Sequence, residues 1–482
     1  MSNSKISVVD EISEISASST NKTRSEDIIP PRQKFGWAAG GFMENGLSFG
    51  ITALSYPIYN IALGVPAQWL GWALAIPRFF DAITDPFIGN WSDNTRSKWG
   101  RRRPYMIIGA LISGLSFSLI WIPPLGFSDV GRFIWYLIFS GIMFLSFGLF
   151  LIPWYALGYE LSPDSAERTR MMSYKVIAAN LAGLAVPWLY WLSQREIFHG
   201  DEITGVRYVG MTFGMIALFA GLLSVILCRE RTEIYTQPKV QFIKAVKSTL
   251  NNKAFVFLTI TFICCLVGTF IISPLTLYIL IYHVADGDKS FGALLSGVSG
   301  WGFSIFQIIL SRPTASLGNR WGKRNVLCLG IVIMAFGYLS SWFLYTPNDP
   351  WLSIIPLPIM CVGSLCIYLL HAAMVADICD VDELDSGLRR EGIFAAVTQF
   401  AYKGSIALSS ALTGYIVFFS GFIEGEIPSE GTILTMRLLY LIFPTILLSI
   451  AFIFAWFNPL TDSAVKKNRL QLDNRKVTEE YI

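Results

Sequence analysis

The sequence predicts an all-α polytopic membrane protein of about twelve spans, arranged as two six-helix halves. Three observations carry this. Hydrophobic residues make up 53% of the 482 residues and charged residues only 15%. Mean hydropathy is +0.51, far from the balance of a soluble domain. Apolar runs of the roughly 20 residues that a bilayer requires recur along almost the whole chain, and a glycine turn wrapped in cations occurs twice, six runs apart.

In order, the apolar runs lie near 36–63, 66–91, 104–122, 131–155, 172–194 and 207–228, then near 254–283, 290–311, 325–346, 351–375, 392–418 and 432–457. The runs at 254–283 and 392–418 are long enough to be tilted or partly broken helices. The chain therefore divides into a disordered, Ser-rich tail at 1–35, a six-helix half at 36–228, a connection at 229–253, a second half at 254–457 and a charged tail at 458–482. The first 33 residues lack the apolar stretch of a cleaved signal peptide.

Lys and Arg set the orientation. The connection after the second run carries Arg96, Lys98, Arg101, Arg102 and Arg103, and the one after the eighth carries Arg312, Arg320, Lys323 and Arg324. The connection between the halves is also basic, whereas 419–431 holds Glu424, Glu426 and Glu430 and no Lys or Arg. The positive-inside rule then places both termini in the cytoplasm. The net charge of +3 is juxtamembrane charge and points to no nucleic acid. The seven cysteines show neither a disulfide framework nor metal-ligand spacing.

The two halves share one plan. Gly89-Asn-Trp-Ser-Asp93-Asn-Thr-Arg96-Ser-Lys98-Trp-Gly100-Arg101-Arg102-Arg103 and Ser316-Leu-Gly318-Asn319-Arg320-Trp-Gly322-Lys323-Arg324 join the second run to the third within each half. Such repeats are the mark of transporters whose halves rock about a central site. Asp93, Arg96, Arg101, Arg102 and Arg320 are candidate gating residues, able to make charge-assisted hydrogen bonds to neighbouring helix ends. Arg389 and Glu391, with Asp377, Asp380, Glu383 and Arg390, are read as lying on the connection between the tenth and eleventh runs. Their spacing suits salt bridges across an inner mouth.

Charges inside the runs are the strongest functional signal. Arg78, Asp81 and Asp85 stand at i, i+3 and i+7 on one helix face. Each costs roughly 2.5–3.5 kcal/mol near a bilayer centre unless paired or hydrated, so a solute or ion pathway is the default reading. An internal Arg78–Asp81 pair that only holds helices together is the plainer alternative. Glu44, Lys175 and Lys403 are further ionisable residues within apolar runs, with Glu44 a natural partner for Lys175 or Lys403. His371 is read as a packing residue. There is no phosphate-cradling loop and no nucleophile with an assembled triad, so neither ATP, another cofactor nor an enzyme is implied.

These residues resemble a known family. The glycine–arginine loops are similar to the signature of the major facilitator superfamily. Arg78 to Asp85, Ile152-Pro153-Trp154-Tyr155, Ala376-Asp377-Ile378-Cys379-Asp380 and Tyr402-Lys403-Gly404 resemble the glycoside–pentoside–hexuronide:cation symporters. The resemblance implies a major facilitator fold of 12 helices, and a cation site at Asp81 and Asp85 with Thr84 beside them. The resemblance makes Lys403 a coupling residue between the cation and sugar sites, and by its own charge Arg78 can hold the pair when the cation is absent. It implies that Glu44, Asn45, Trp154, Tyr155 and Lys175 face the sugar. The family's Thr and Asp on the fourth helix are here Gly148 and Leu151, which removes two oxygen ligands and leaves H⁺ or Na⁺ as the coupling ion. The expected activity is import of a glycoside, oligosaccharide or acidic sugar with that cation, by a monomer in a bacterial inner membrane. The alternatives are an uncoupled facilitator, a transporter of another amphipathic solute such as a lysolipid, and a non-transporting sensor.

Overall fold

The computed structural model describes residues 28–124, 126–162, 165–230, 249, 251–386, 391–460, 465, 468 and 471. Within them the chain is helical. Helix α1, Pro31–Ser55, runs on through a π-helical turn at Tyr56–Ala62. It is followed by α2 (Ala67–Asn94), α3 (Arg103–Ile120) and α4 (Asp129–Glu160). Helix α5 is Ser165–Ala185, extended by a 3-10 turn at Val186–Trp188 and by Leu189–Ser193; α6 is Glu202–Leu227. Helix α7, Lys253–Phe270, resumes at Ser273–Ile279 and Leu280–Val284. The rest are α8 (Lys289–Trp321), α9 (Lys323–Leu344), α10 (Pro356–Ser386), α11 (Glu391–Phe419) and α12 (Glu430–Trp456).

Local chemistry sets the boundaries. Ser128, Asp201, Asn252, Asp288 and Ser429 each accept a hydrogen bond from a backbone N–H of the first turn of the helix they precede. The interruption of α7 falls just before Ser273-Pro274, where proline has no N–H to continue the ladder. Of the two long runs expected to be tilted or partly broken helices, 254–283 is broken here, whereas 392–418 lies in one unbroken helix. Helix α10 also outlasts its apolar run. Asp377, Asp380 and Glu383 therefore lie on the helix and not on a connection, and Asp377 takes the ammonium of Lys323 at 2.7 Å.

Residues 29–34, which the apolar pattern leaves to the tail, already make tertiary contacts. The Ile29 N–H donates to Glu167 at 3.0 Å, and Lys34 in the first turn of α1 pairs with the same carboxylate. Burial pushes the Glu167 carboxyl up, but these donors more than reverse it and leave it below the usual carboxylate range.

Among the described residues, nine helical stretches are long and apolar enough to cross a membrane. Helices α1, α2 and α11 are also long, at 25, 28 and 29 residues, but are not among the nine. The halves meet where glycine lets backbones approach. A Cβ on Gly71 of α2 would stand 2.8 Å from the Ser410 carbonyl of α11, and one on Gly414 of α11 would stand 2.5 Å from the Ala67 carbonyl. Further ties between the halves concentrate at the end away from the basic loops. Glu424 accepts from Asn60 at 3.1 Å and from the Ala67 N–H at 3.3 Å. Tyr278 bonds Asn60, Lys289 bonds Glu202 at 2.7 Å, and Arg195 bonds Ser290 at 2.6 Å.

Within the first half, α1 and α4 are bolted by Trp37 and Trp154. Their rings stack at 4.8 Å, and each indole N–H donates to the other's carbonyl, at 2.9 and 3.0 Å. Gly40 and Gly158 make room, since a Cβ on either would fall 2.4 Å from the facing indole. Gly40→Ala and Gly158→Ala should each destabilise the detergent-solubilised protein by roughly 1–3 kcal/mol in thermal unfolding. Gly89→Ala, whose new methyl meets only Ile152 at 3.6 Å, should leave unfolding unchanged or slightly raised.

Candidate functional site

Asp81 and Asp85 are four residues apart on α2, so their carboxylates leave the same face and meet α11 where the two helices cross. Lys403 of α11 fills the gap. Its Nζ lies 2.7 Å from Asp81 Oδ2 and donates equally to Asp85 Oδ2. The three side chains are largely buried, at 9%, 20% and 21% exposure, so this is a low-dielectric ion triad between the halves. One ammonium faces two carboxylates, and the triad as drawn carries one net negative charge.

Arg78 does not hold the pair. Its guanidinium donates to Thr52 Oγ1 at 2.7 Å, Ser410 Oγ at 3.2 Å and the Ser48 carbonyl at 3.3 Å, and lies over the Phe144 ring at 5.2 Å. Neither the expected Arg78–carboxylate clamp nor the plain Arg78–Asp81 bridge is among the ion pairs of the described residues. Lys403 reaches both carboxylates first because α11 packs directly against that face, while Arg78 lies one turn away towards α1. A buried cation is left with neutral partners only.

The second oxygen of each carboxylate, Asp81 Oδ1 and Asp85 Oδ1, is buried without a hydrogen bond. Both face Gly148 of α4, where a Cβ would stand 2.9 Å from the first and 3.5 Å from the second. The small residue thus lets α4 come close to two unsatisfied anionic oxygens. Thr84 does not turn towards them; its hydroxyl donates back to the Asp81 carbonyl at 3.1 Å. Leu151, one turn further along α4, is half-buried and packs against the core.

A second cluster joins α1, α4 and α5. Lys175 Nζ lies 2.9 Å from Glu44 Oε2 and 2.8 Å from the Tyr155 hydroxyl, which itself donates to Glu44 Oε1. The ammonium sits over the Tyr155 ring at 4.5 Å and the Trp154 ring at 5.3 Å. Of the two partners expected for Glu44, Lys175 is the one it meets. Asn45 points elsewhere, donating to the Ala179 carbonyl at 3.2 Å. Trp154 is fully buried against Trp37, so it supports the cluster and presents no face to a solute. His371 is buried and stacked on Phe262 at 3.9 Å, as a packing residue should be.

At the basic end, Asp93 pairs with Arg102 at 3.0 Å, and Glu160 takes Arg101 and Arg102 at 2.9 and 2.7 Å. Arg96 and Arg320 are exposed. Arg389 and Arg390 lie outside the described residues, and only the backbone of Glu391 is described. Residue-type reasoning missed Glu230. Its carboxylate accepts the N–H groups of Arg101, Arg102 and Arg103 at 2.7, 2.8 and 3.0 Å, closing the first turn of α3. Its place between Arg229 and Arg231 is the only sequence signal, and the cations there drew attention to topology instead. The Thr52 and Ser410 partners of Arg78 were equally silent, being ordinary hydroxyls on other helices.

The family model described as "MFS/sugar transport protein" matches residues 34–462. The glucuronide carrier protein homolog of Escherichia coli (strain K12) is 25% identical over 454 residues, covering 92% of this chain and 95% of that protein. The isoprimeverose transporter of Lactiplantibacillus pentosus is 24% identical over 435 residues and 87% of each chain. Among solved structures, a D-xylose–proton symporter superposes with a TM-score of 0.62 at 15% identity, over 88% of this chain and 96% of that one.

Removing the shared cation should show what the triad contributes. Lys403→Met strands two buried carboxylates and should cost about 3–5 kcal/mol in thermal unfolding. Adding Asp81→Asn to Lys403→Met should recover part of that loss, because one of the stranded charges is removed.

Proposed function

Since the chain belongs to the MFS/sugar transport protein family, among the glycoside–pentoside–hexuronide:cation symporters, we propose that it imports a sugar together with a monovalent cation by alternating access. The twelve helical units are read as twelve crossings in two rocking halves of a bacterial inner membrane. The basic loops put both termini in the cytoplasm. Helices α1, α2 and α11 count as crossings although they are not among the nine, because Glu44, Asp81, Asp85 and Lys403 on them are paired inside the bundle.

The observation that carries the reading is the Lys403 bridge to Asp81 and Asp85, a charge-bearing contact between the two halves with one negative charge in excess. A cation arriving at the two free Oδ1 atoms cancels that excess. It also weakens the hold of α2 on Lys403, and so changes the balance between the two arrangements of the halves. A ligand shifts such a balance only by its difference in affinity for the two states. Coupling follows if the sugar, bound near Tyr155 and Lys175, prefers the same state as the cation.

The ion favoured by this geometry is the proton. Hard metal cations take several oxygen ligands, and here Lys403 already occupies one oxygen of each carboxylate, Thr84 is turned away, and Gly148 and Leu151 offer none. Two like charges beside each other readily share one proton instead. The ties at the end away from the basic loops correspond to a closed outer gate and a site reached from the cytoplasm.

Uptake of glycosides into energised vesicles, with proton and Na⁺ gradients imposed separately, tests this. Accumulation should follow the proton gradient and vanish in Asp81→Asn and Asp85→Asn, while downhill exchange of sugar survives in at least one of them. Uphill transport unchanged in both variants would remove the coupling role from these carboxylates, and accumulation driven by Na⁺ alone would reverse the choice of ion.

A further inference from the structure

We propose that Glu424 is the latch of the outer gate: an acid of the second half that caps helix α2 of the first, and so makes its bonds only while the outer mouth is closed. The inference rests on the alternating-access reading above and names the residue that sets its closed outer state.

A helix begins with N–H groups that have no partner inside it. At α2 the preceding residue is Pro66, whose side chain supplies no cap. The Trp69 and Leu70 N–H groups bond back to the Pro66 carbonyl, at 3.0 and 3.2 Å. The Ala67 N–H is met from the other half, by Glu424 Oε1 at 3.3 Å. A negative charge at a helix N-terminus also suits the helix dipole. The same oxygen accepts from the Asn60 amide at 3.1 Å, and that amide donates as well to the Val65 carbonyl at 2.8 Å. On its other side Asn60 Oδ1 accepts from the Tyr278 hydroxyl of α7. Asn60 is fully buried, so the turn between α1 and α2 is gripped by two residues of the second half.

The loop between α11 and α12 is built to present this acid. Of its three glutamates, Glu426 and Glu430 are exposed and Glu424 is half-buried. Phe422 is buried and packs on Tyr278 and Tyr282 of its own half, at 5.0 and 5.6 Å. Gly421 and Gly425, at φ +80° and +82°, turn the chain on either side of that anchor and of Glu424. The other ties across the outer mouth differ in kind. Lys289 with Glu202, and Arg195 with Ser290, reach across by long side chains that can follow a moving partner. Glu424 instead meets a backbone N–H and a buried amide, whose positions fix both distance and direction. When the mouth opens, water replaces the protein partners on both sides, so the bonds are reversible. Helix α2 carries Asp81 about 21 Å further along its axis, where Lys403 of the same second half holds it. The second half thus grips one helix twice, with an acid at its outer end and a base at mid-span.

Double electron–electron resonance on the full chain in lipid nanodiscs tests the latch without a substrate. One spin-label pair, on Ile197→Cys and Asn348→Cys, spans the outer end, and a second, on Trp99→Cys and Trp321→Cys, spans the inner end; all four positions are exposed. The chain with only its seven native cysteines supplies the background. Glu424→Ala should raise the ratio of open to closed outer mouths about tenfold or more, the scale of one charge-assisted hydrogen bond. The outer distance should lengthen while the inner one shortens. Glu424→Gln keeps the acceptor oxygen and loses the charge, so it should shift both pairs the same way by less. Glu426→Ala, in the same loop, should leave both pairs where they are. The isosteric Glu424→Gln keeps the test decisive where Glu424→Ala folds poorly. Unchanged distances in both Glu424 variants, or an equal shift in Glu426→Ala, would overturn the latch and leave alternating access standing. Distances that lengthen together at both ends would overturn the rocking of the halves and this inference with it.

Discussion

Lys403 held between Asp81 and Asp85 is the interaction on which the rest of the molecule turns. There the halves share charge at a buried contact, and Lys289 and Glu202 share it towards the end away from the basic loops. The triad exists only because α2 and α11 approach closely, which Gly71 and Gly414 permit. Close packing and burial strengthen the ion pairs and, for the same reason, make any unbalanced charge among them costly. A structure that needed only adhesion between halves would use an apolar contact here. The triad instead makes the contact depend on how many cations are present.

Around it, the residues are arranged so that a change at one cluster is felt at the other. Arg78 leans towards α1 through Thr52 and Ser48, and Glu44 lies on the same helix a few residues earlier. Tyr402, next to Lys403, is within electrostatic reach of both Glu44 and Arg78. The reciprocal Trp37–Trp154 bolt keeps α1 and α4 together, so Tyr155, on α4, moves with the helix that carries Glu44. Coupling between sites of this kind needs no wire; it needs two arrangements of rigid halves that both ligands bias.

Much of this was legible from residue order, and the limits were physical. Hydropathy located all the long helices, because a bilayer imposes one length on every span. Their ends were not marked by apolarity: α4, α8 and α10 continue beyond their apolar runs as polar helix, which is why Asp377 and Asp380 were misplaced onto a connection. Periodicity placed Arg78, Asp81 and Asp85 on one face, but a face has two flanks. Which flank met Lys403 and which met Thr52 depended on the packing of α11 and α1. The partners of Asn45 and Trp154 were hidden for a related reason. Their residue types suit a sugar, yet the backbone carbonyl of Ala179 and the ring of Trp37 claimed them first. Glu230 and Glu424 bond backbone N–H groups far away in sequence, and no local pattern announces such a partner.

The three long helices outside the nine apolar stretches all bring charge to the centre. Glu44 lies on α1, the Arg78–Asp85 face on α2, and Lys403 on α11. A span of this composition inserts poorly alone and is stabilised only when its charges find partners on other helices. Charges in α1 are matched by α5, and those in α2 by α11. Each of these helices is therefore held in the bundle partly by the groups that operate the site. Function and assembly rest on the same ion pairs, and that sets a bound on change. A substitution that alters the charge of one member must be answered by another, so the net charge of the interior is a more constrained property of this chain than the identity of any single polar residue within it.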